Sequence, residues 1–251
     1  MIPRHAPQSP QHTKQQKVSS HVVVIAIDGP SGSGKSSVSK AVAARLGLAY
    51  LDTGAMYRAA TLWCVGRGTD LADEAAVAHA VRVMPLVSGL DPDAPTVHLD
   101  GRDVSEAIRT TEVSTAVSQV ATNLEVRAEL RRRQRRTIEA EAAADGFSGG
   151  RGIVAEGRDI TTVVAPDADV RVLLTASEEA RLRRRSLEVH GAADESAVEA
   201  TRDQVLRRDR DDATVSQFEV AADGVVTVDS SDLDFDQTVD AVLAVVTQVT
   251  A

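Results

Sequence analysis

What this 251-residue chain lacks narrows the field first. It has one cysteine, Cys64, so no disulfide can close within the chain, and no Cys/His cluster has metal-site spacing. Beside Trp63 in an apolar stretch, Cys64 reads as a small core hydrophobe rather than a reactive thiol. No apolar run approaches the roughly 18 residues that span a bilayer, so no membrane contact is expected. Aromatics are only 2% of the residues, which leaves Val, Leu, Ile and Ala to build the core. Excess positive charge is missing as well. The net charge is −9, which argues against broad nucleic-acid binding. The six histidines are scattered and mark no site. Residues 1–20, rich in Pro, Gln, Ser and His, carry neither the apolar segment nor the cleavage site of a secretory signal. They are expected to form a disordered tail, and a cytoplasmic monomer is expected behind them.

What is present begins with a glycine-rich loop. Gly29-Pro30-Ser31-Gly32-Ser33-Gly34-Lys35-Ser36 fits G-x-x-x-x-G-K-[ST]. An apolar run, Val22 to Ile27, precedes it and reads as a buried strand. Ser37 to Leu46 follows with helical spacing, Val38, Val42 and Leu46 on one face. Strand, loop and helix together are the setting in which this pattern cradles phosphates. Glycines let the backbone N–H groups converge on phosphate oxygens, and the helix presents its positive end. The expected ATP-binding set is Gly29 through Ser37. Lys35 is placed to reach the outer phosphates and Ser36 to hold Mg²⁺.

Strands and helices alternate along much of the remaining chain, which predicts a three-layer α/β/α domain around a parallel central sheet. Ala49–Asp52, Ile153–Glu156, Asp169–Thr175 and Val225–Val228 read as further strands. Helices are expected at 55–65, 72–83, from 177 into an arginine-rich stretch, on to about 208, and at 234–249. Between about 85 and 145 the pattern changes. Two short strands flank the Pro-containing turn 91–95, and a helical block from 104 to about 144 breaks near Thr122-Asn123. Residues 85–145 therefore read as an α+β insert in a core formed by 21–84 and 146–251.

Ligands of open parallel sheets sit at the carboxyl ends of strands. Asp52-Thr53-Gly54 and Gly157-Arg158-Asp159 both follow strands and are expected to face the phosphate loop across one crevice. Phosphoryl transfer is mainly positioning and charge neutralisation, a task suited to arginine. Arg58, Arg158 and the cluster Arg181, Arg183, Arg184 and Arg185 are candidates, the cluster either as a solvated face or as a phosphate-closing element. Several arginines near strand ends favour a phosphate acceptor, which needs no catalytic base. A second run, Arg131 to Arg136, has Glu125, Glu129, Glu139 and Glu141 nearby and reads as a solvated helix face.

These residues also carry a resemblance. Ile27 to Ser36, Leu51-Asp-Thr-Gly-Ala-Met-Tyr-Arg58, Asp103-Val-Ser to Ile108-Arg109, Ser118-Gln-Val, Glu156-Gly-Arg-Asp-Ile160, Val163 to Ala168 and Arg207-Arg-Asp209 appear in the order found in bacterial cytidylate kinases. They span about 20 to 230, and the chain resembles that nucleoside monophosphate kinase family. The resemblance implies a P-loop core, a large substrate-binding insert and a short Arg-rich lid at about 180–200. It also implies transfer from Mg-ATP to CMP or dCMP. By matched position, Thr53, Ser118, Arg127 and Asp159 would surround the cytosine. Tyr57, Arg58 and Arg158 would line the acceptor phosphate, and Arg208 and Asp212 would hold the ribose. Arg184 and Arg185 would reach the transferring phosphate, with Lys35, Arg158 and Asp159 completing the catalytic set. Two positions depart from the family pattern. Val215 stands where an arginine usually contacts the monophosphate, with Arg210 a candidate substitute, and Thr161 replaces a usual glycine. A raised Michaelis constant for CMP is expected. The nearest alternative is a small P-loop kinase acting on a metabolite alcohol, such as a shikimate-like acceptor. A nucleotide switch or nucleic-acid-dependent ATPase is a further one, but a guanine-reading N-K-x-D is absent.

Overall fold

The computed structural model describes residues 22–192 and 194–250. The tail expected at 1–20 lies outside the described residues. Five strands form the central sheet: β1 (Val23–Asp28), β2 (Ala49–Asp52), β6 (Gly152–Gly157), β7 (Val170–Thr175) and β8 (Val226–Asp229). Their order is β2-β6-β1-β7-β8, and every pairing is parallel. Parallel strands with helices on both faces need apolar residues on both faces, and β6 is buried at every position. The alternation of side chains along β1 divides the core. Ile25 and Ile27 face α1 (Lys35–Leu46) and α8 (Phe235–Thr250) through Val38, Val42, Val239 and Val242. Ala26 faces the other layer, where α2 (Thr53–Val65) packs Ala55, Met56 and Ala59 against the sheet. Cys64 belongs to this second layer and is fully buried.

The segment between α3 (Glu74–Arg82) and β6 has its own antiparallel sheet of β3 (Leu86–Ser88), β4 (Val97–Leu99) and β5 (Arg102–Asp103). The third strand was not expected. Asp100 and Gly101 both take positive φ, 51° and 74°, and close a two-residue hairpin between Leu99 and Arg102. The helical block that follows starts later than its composition suggests. A 3₁₀ turn at Ala107–Arg109 precedes α4 (Thr111–Ala121), and α5 runs Leu124–Ala140. The break falls at Thr122-Asn123, as expected, because the Asn123 side chain caps α5 by accepting from Glu125 and Val126 N–H. Downstream, α6 (Glu178–His190) and α7 (Glu195–Ala213) pack as an antiparallel pair. α7 runs past Arg208, and its extra turn matters for the site.

Candidate active site

A cleft of about 540 Å³ opens at the carboxyl ends of β1, β2 and β6. The phosphate loop forms its floor. Gly32 takes φ 75°, and a Cβ there would sit 2.5 Å from the Arg181 carbonyl, so only glycine lets loop and α6 meet. Ser31, Gly32, Gly34, Lys35, Ser36 and Ser37 line the cleft. Lys35 is half-buried in the cleft, and desolvation, aided by the charge of Arg158, lowers its ammonium to about 8. The Ser36 hydroxyl donates to Glu156 Oε1 at 2.6 Å. Glu156 ends β6, is 2% exposed, and also accepts from the Tyr50 hydroxyl at 3.3 Å. Burial and then the neighbouring Asp52 push its carboxyl up to about 7. Sequence reasoning missed Glu156 as a site residue. Its signal was a carboxylate at a buried strand end beside the phosphate loop.

Arg158 is tied on every side. It donates to the Gly29 carbonyl at 2.7 Å, to Ser31 Oγ at 2.7 Å, to Asp209 at 2.9 Å and to Asp212 at 3.0 Å. Its guanidinium lies over the ring of Phe218, 4.3 Å from the centroid. Asp209, the second residue missed, is a hub. It accepts from the Ser31 N–H at 3.0 Å, from Arg158 and from Arg181. The loop's position thus depends on a carboxylate in the last turns of α7.

The acceptor end gathers side chains from four elements. Thr53 and Tyr57 come from α2, and the Thr53 hydroxyl donates to the Glu156 carbonyl at 2.7 Å. Arg127, on α5, is 3% exposed. It donates to the Ala121 carbonyl at 3.0 Å, to Asp159 Oδ2 at 2.6 Å and to Ser216 Oγ at 2.6 Å, while its Nε is buried without a partner. The Tyr57 hydroxyl and Arg208 Nε are likewise buried without a hydrogen-bond partner, Arg208 Nε lying 3.8 Å from Asp212. Such groups are costly in an empty protein and suit a polar ligand. Arg58 donates to Ser114 Oγ at 2.8 Å, and burial, then the charges of Arg208 and Arg185, lowers its guanidinium to about 9. Arg109 enters from the 3₁₀ turn, 3.7 Å from Asp52.

Thr53, Tyr57, Arg58, Arg127, Arg158, Asp159, Arg185, Arg208 and Asp212 all line this one cleft. Gly29, Pro30 and Ser33 of the loop are off its wall, and so are two of the other expected residues, Arg184 and Ser118. Arg184 donates to the Ser33 carbonyl of the phosphate loop at 3.4 Å, to the Ser230 and Leu233 carbonyls and to Ser230 Oγ, and so ties the back of the loop to the turn before α8. Ser118 is half-buried on α4 but off the cleft wall, which α4 supplies through Ser114, Val117 and Ala121. Arg210 is exposed, donates back to the Leu206 carbonyl and is off the cleft wall, so it does not take the monophosphate contact expected of it. The α5 run is a solvated face only in part: Arg132, Arg135 and Arg136 are exposed and Arg132 pairs with Glu129, while two members turn inward. Arg131 donates twice to Asp159, and Arg133 caps the Val81, Arg82 and Met84 carbonyls.

Among the described residues no group of three or more His, Cys, Asp or Glu is arranged to hold a metal. The oxygen set beside the loop, Ser36 hydroxyl with Glu156 and Asp52 behind it, fits a hard divalent ion that keeps most of its ligands from phosphate and water.

A lysine-bearing loop at a parallel strand end, facing a cleft that gathers Arg58, Arg158, Arg185 and Arg208, makes this a P-loop phosphotransferase. Comparison with known proteins narrows the class. A family model described as cytidylate kinase matches residues 25–248, and the chain belongs to the cytidylate kinase family. The cytidylate kinase of Streptomyces avermitilis is 49% identical over 225 residues, covering 89% of this chain and 92% of that one. That of Nocardia farcinica is 49% identical over 230 residues, 90% of this chain and 94% of its own. A bifunctional pantoate ligase/cytidylate kinase of a Synechococcus species is 45% identical over 196 residues, which is 76% of this chain and 37% of the larger protein.

Proposed function

We propose that the chain transfers the γ-phosphoryl group of ATP to CMP or dCMP, giving ADP and CDP or dCDP. The observation that carries this reading is one cleft with a phosphate loop at one end and the buried Arg127–Asp159 pair at the other. Cytosine offers an amine that donates and a carbonyl that accepts, matching a carboxylate and a guanidinium. In this reading Asp159 takes the amine and Arg127 the carbonyl side, with Thr53 and Tyr57 against the nucleotide. Arg208 and Asp212 hold the ribose, and residues 85–145 act as the acceptor-binding insert.

The acceptor phosphate oxygen is already an anionic nucleophile, so no side chain has to remove a proton. The protein's task is to align that oxygen with the γ-phosphorus and to offset the charge spread over the transferring group. Lys35 does so from the ATP side and Arg58 from the acceptor side, with Arg158 fixing their separation through Gly29 and Ser31. Arg185 approaches from the segment 180–200, read here as a lid. Ser36 would hold Mg²⁺, with Glu156 behind its hydroxyl. The ion would supply positive charge to offset that of the outer phosphates. The free nucleotide is taken as the substrate rather than nucleic acid, and the enzyme as a cytoplasmic monomer. Among the described residues no helix is long and apolar enough to cross a membrane.

The test is ADP release from Mg-ATP with CMP, dCMP, UMP, AMP and shikimate offered separately. Fast turnover with CMP and dCMP and slow turnover with UMP is expected. Turnover with shikimate, or with no pyrimidine nucleotide, would overturn the reading.

A further inference from the structure

Asp159 is held from two helix positions at once. Arg127 and Arg131 stand four residues apart on α5 and so share one face of that helix. Both donate to the same oxygen of Asp159. Arg127 Nη2 lies 2.6 Å from Oδ2, and Arg131 approaches it through Nε at 2.9 Å and Nη2 at 2.5 Å. Arg135, a further turn along, donates to the Val163 and Val164 carbonyls in the turn that follows Asp159. From the opposite side Asp28 accepts the Ile160 and Thr161 N–H groups and the Thr161 hydroxyl, at 3.0, 2.8 and 2.6 Å. The carboxylate is thereby clamped from α5 and its backbone from β1. Three N–H bonds occupy Oδ2, and Oδ1 is the oxygen left to meet a ligand.

We infer that Arg131 is a positioning residue for base selection, fixing Asp159 so that one immobile acceptor oxygen faces the base. Arg131 is not on the cleft wall, so it acts only through Asp159. A fixed acceptor discriminates by repulsion as well as attraction. Cytosine brings a donating amine to it, whereas uracil brings a carbonyl oxygen, and two acceptors face each other. A carboxylate bonded by Arg127 alone can turn about its Cβ–Cγ bond and relieve that clash. Arg131 removes the escape. The inference rests on the proposed reading of the base by Asp159.

The experiment is the ratio of kcat/KM for CMP over UMP in the full chain carrying Arg131→Leu, Arg131→Gln or Arg131→Lys, with Asp159→Asn as a separate arm. The freed carboxylate predicts a fall of about tenfold in the ratio for Arg131→Leu, through a lower value for CMP and a higher one for UMP. Arg131→Lys, which keeps the charge and part of the bonding, is expected to recover part of it. A general structural defect would lower both substrates together and leave the ratio standing. An unchanged ratio in all three Arg131 variants, with Asp159→Asn collapsing it, overturns the inference and leaves base reading by Asp159 intact. An unchanged ratio in Asp159→Asn removes the base reading and the inference with it. Should Arg131→Leu yield no folded protein, the Lys and Gln variants are judged by the same ratio.

Discussion

At the base end of the cleft, Asp159 collects N–H groups from Arg127 and Arg131, and Arg127 has further partners in Ala121 and Ser216. At the phosphate end, Arg58, Arg185 and Arg208 crowd one another, and burial with that repulsion lowers Arg58 to about 9. Lys35 is lowered to about 8 by burial and by Arg158. The first end has its charged pair completed within the protein, with Arg127 Nε and the Tyr57 hydroxyl left over. The second is a set of half-buried, mutually repelling guanidiniums, offset in part by Glu188 and Asp212, that a further anion would relieve. Breaking a completed buried pair costs about 3–5 kcal/mol, whereas removing a surplus buried charge can be neutral or stabilising. Substitutions at the two ends should therefore separate into losses of selectivity at one and trades of activity for stability at the other.

The strongest test of that division is Glu156→Gln. Its carboxyl holds Ser36 and is buried, so kcat is expected to fall about a hundredfold, as when one preorganised polar group is lost. Stability should move the other way. Glu156 titrates at about 7 in the fold against 4.5 when unfolded, so the folded state binds the extra proton between those values. Its contribution to stability falls as pH rises from about 4.5 to 7 and stays low above. Glutamine removes that loss, and urea titration at pH 8 should show a gain of about 1–2 kcal/mol that disappears near pH 4. A loss of stability at pH 8 would break the comparison.

Next in size is Arg58→Met. The Michaelis constant for CMP is expected to rise about thirtyfold through the lost phosphate contact. The melting temperature of the ligand-free protein should hold or rise, because a repelled half-buried cation has gone. Inorganic phosphate should stabilise the parent more than the variant.

The family departure at Val215 is a smaller matter. The residue is half-buried, just beyond the end of α7. Val215→Arg should lower the Michaelis constant for CMP by about threefold, the worth of a partly exposed ion pair. No change, measured alongside an unaltered melting curve, would mean Arg58 and Arg208 already suffice. The finest test is calorimetric. With Lys35 titrating at about 8, metal-free ATP binding at pH 8.5 should take up roughly 0.7 of a proton. Titrations in buffers of different ionisation enthalpy would measure it, and zero uptake would mean Lys35 carries its charge before ATP arrives.

The phosphate loop could be read from sequence because its parts are contiguous and its glycines answer local demands. The sheet could be read because buried parallel strands are uninterrupted apolar runs. What escaped depends on contacts distant in sequence. Asp209 meets Ser31 across 178 positions, and nothing near either residue announces it. The two arginine runs look alike as strings, yet their fates follow helix phase and apposition. Arg131 falls on the face that α5 turns to Asp159. Arg184 falls on the side that α6 turns to the Ser230 turn. The i,i+4 spacing of Arg127 and Arg131 was the available signal, and it gains meaning only once α5 is known to lie beside the end of β6.

The stitching of Arg158 reaches into thermodynamics. One guanidinium is bonded at once to the ATP loop, through Gly29 and Ser31, and to α7, through Asp209 and Asp212. A shift at either substrate's seat is thus felt at the other. Linkage requires the debt to be symmetric: whatever factor ATP applies to the affinity for its acceptor through this contact, the acceptor returns to ATP.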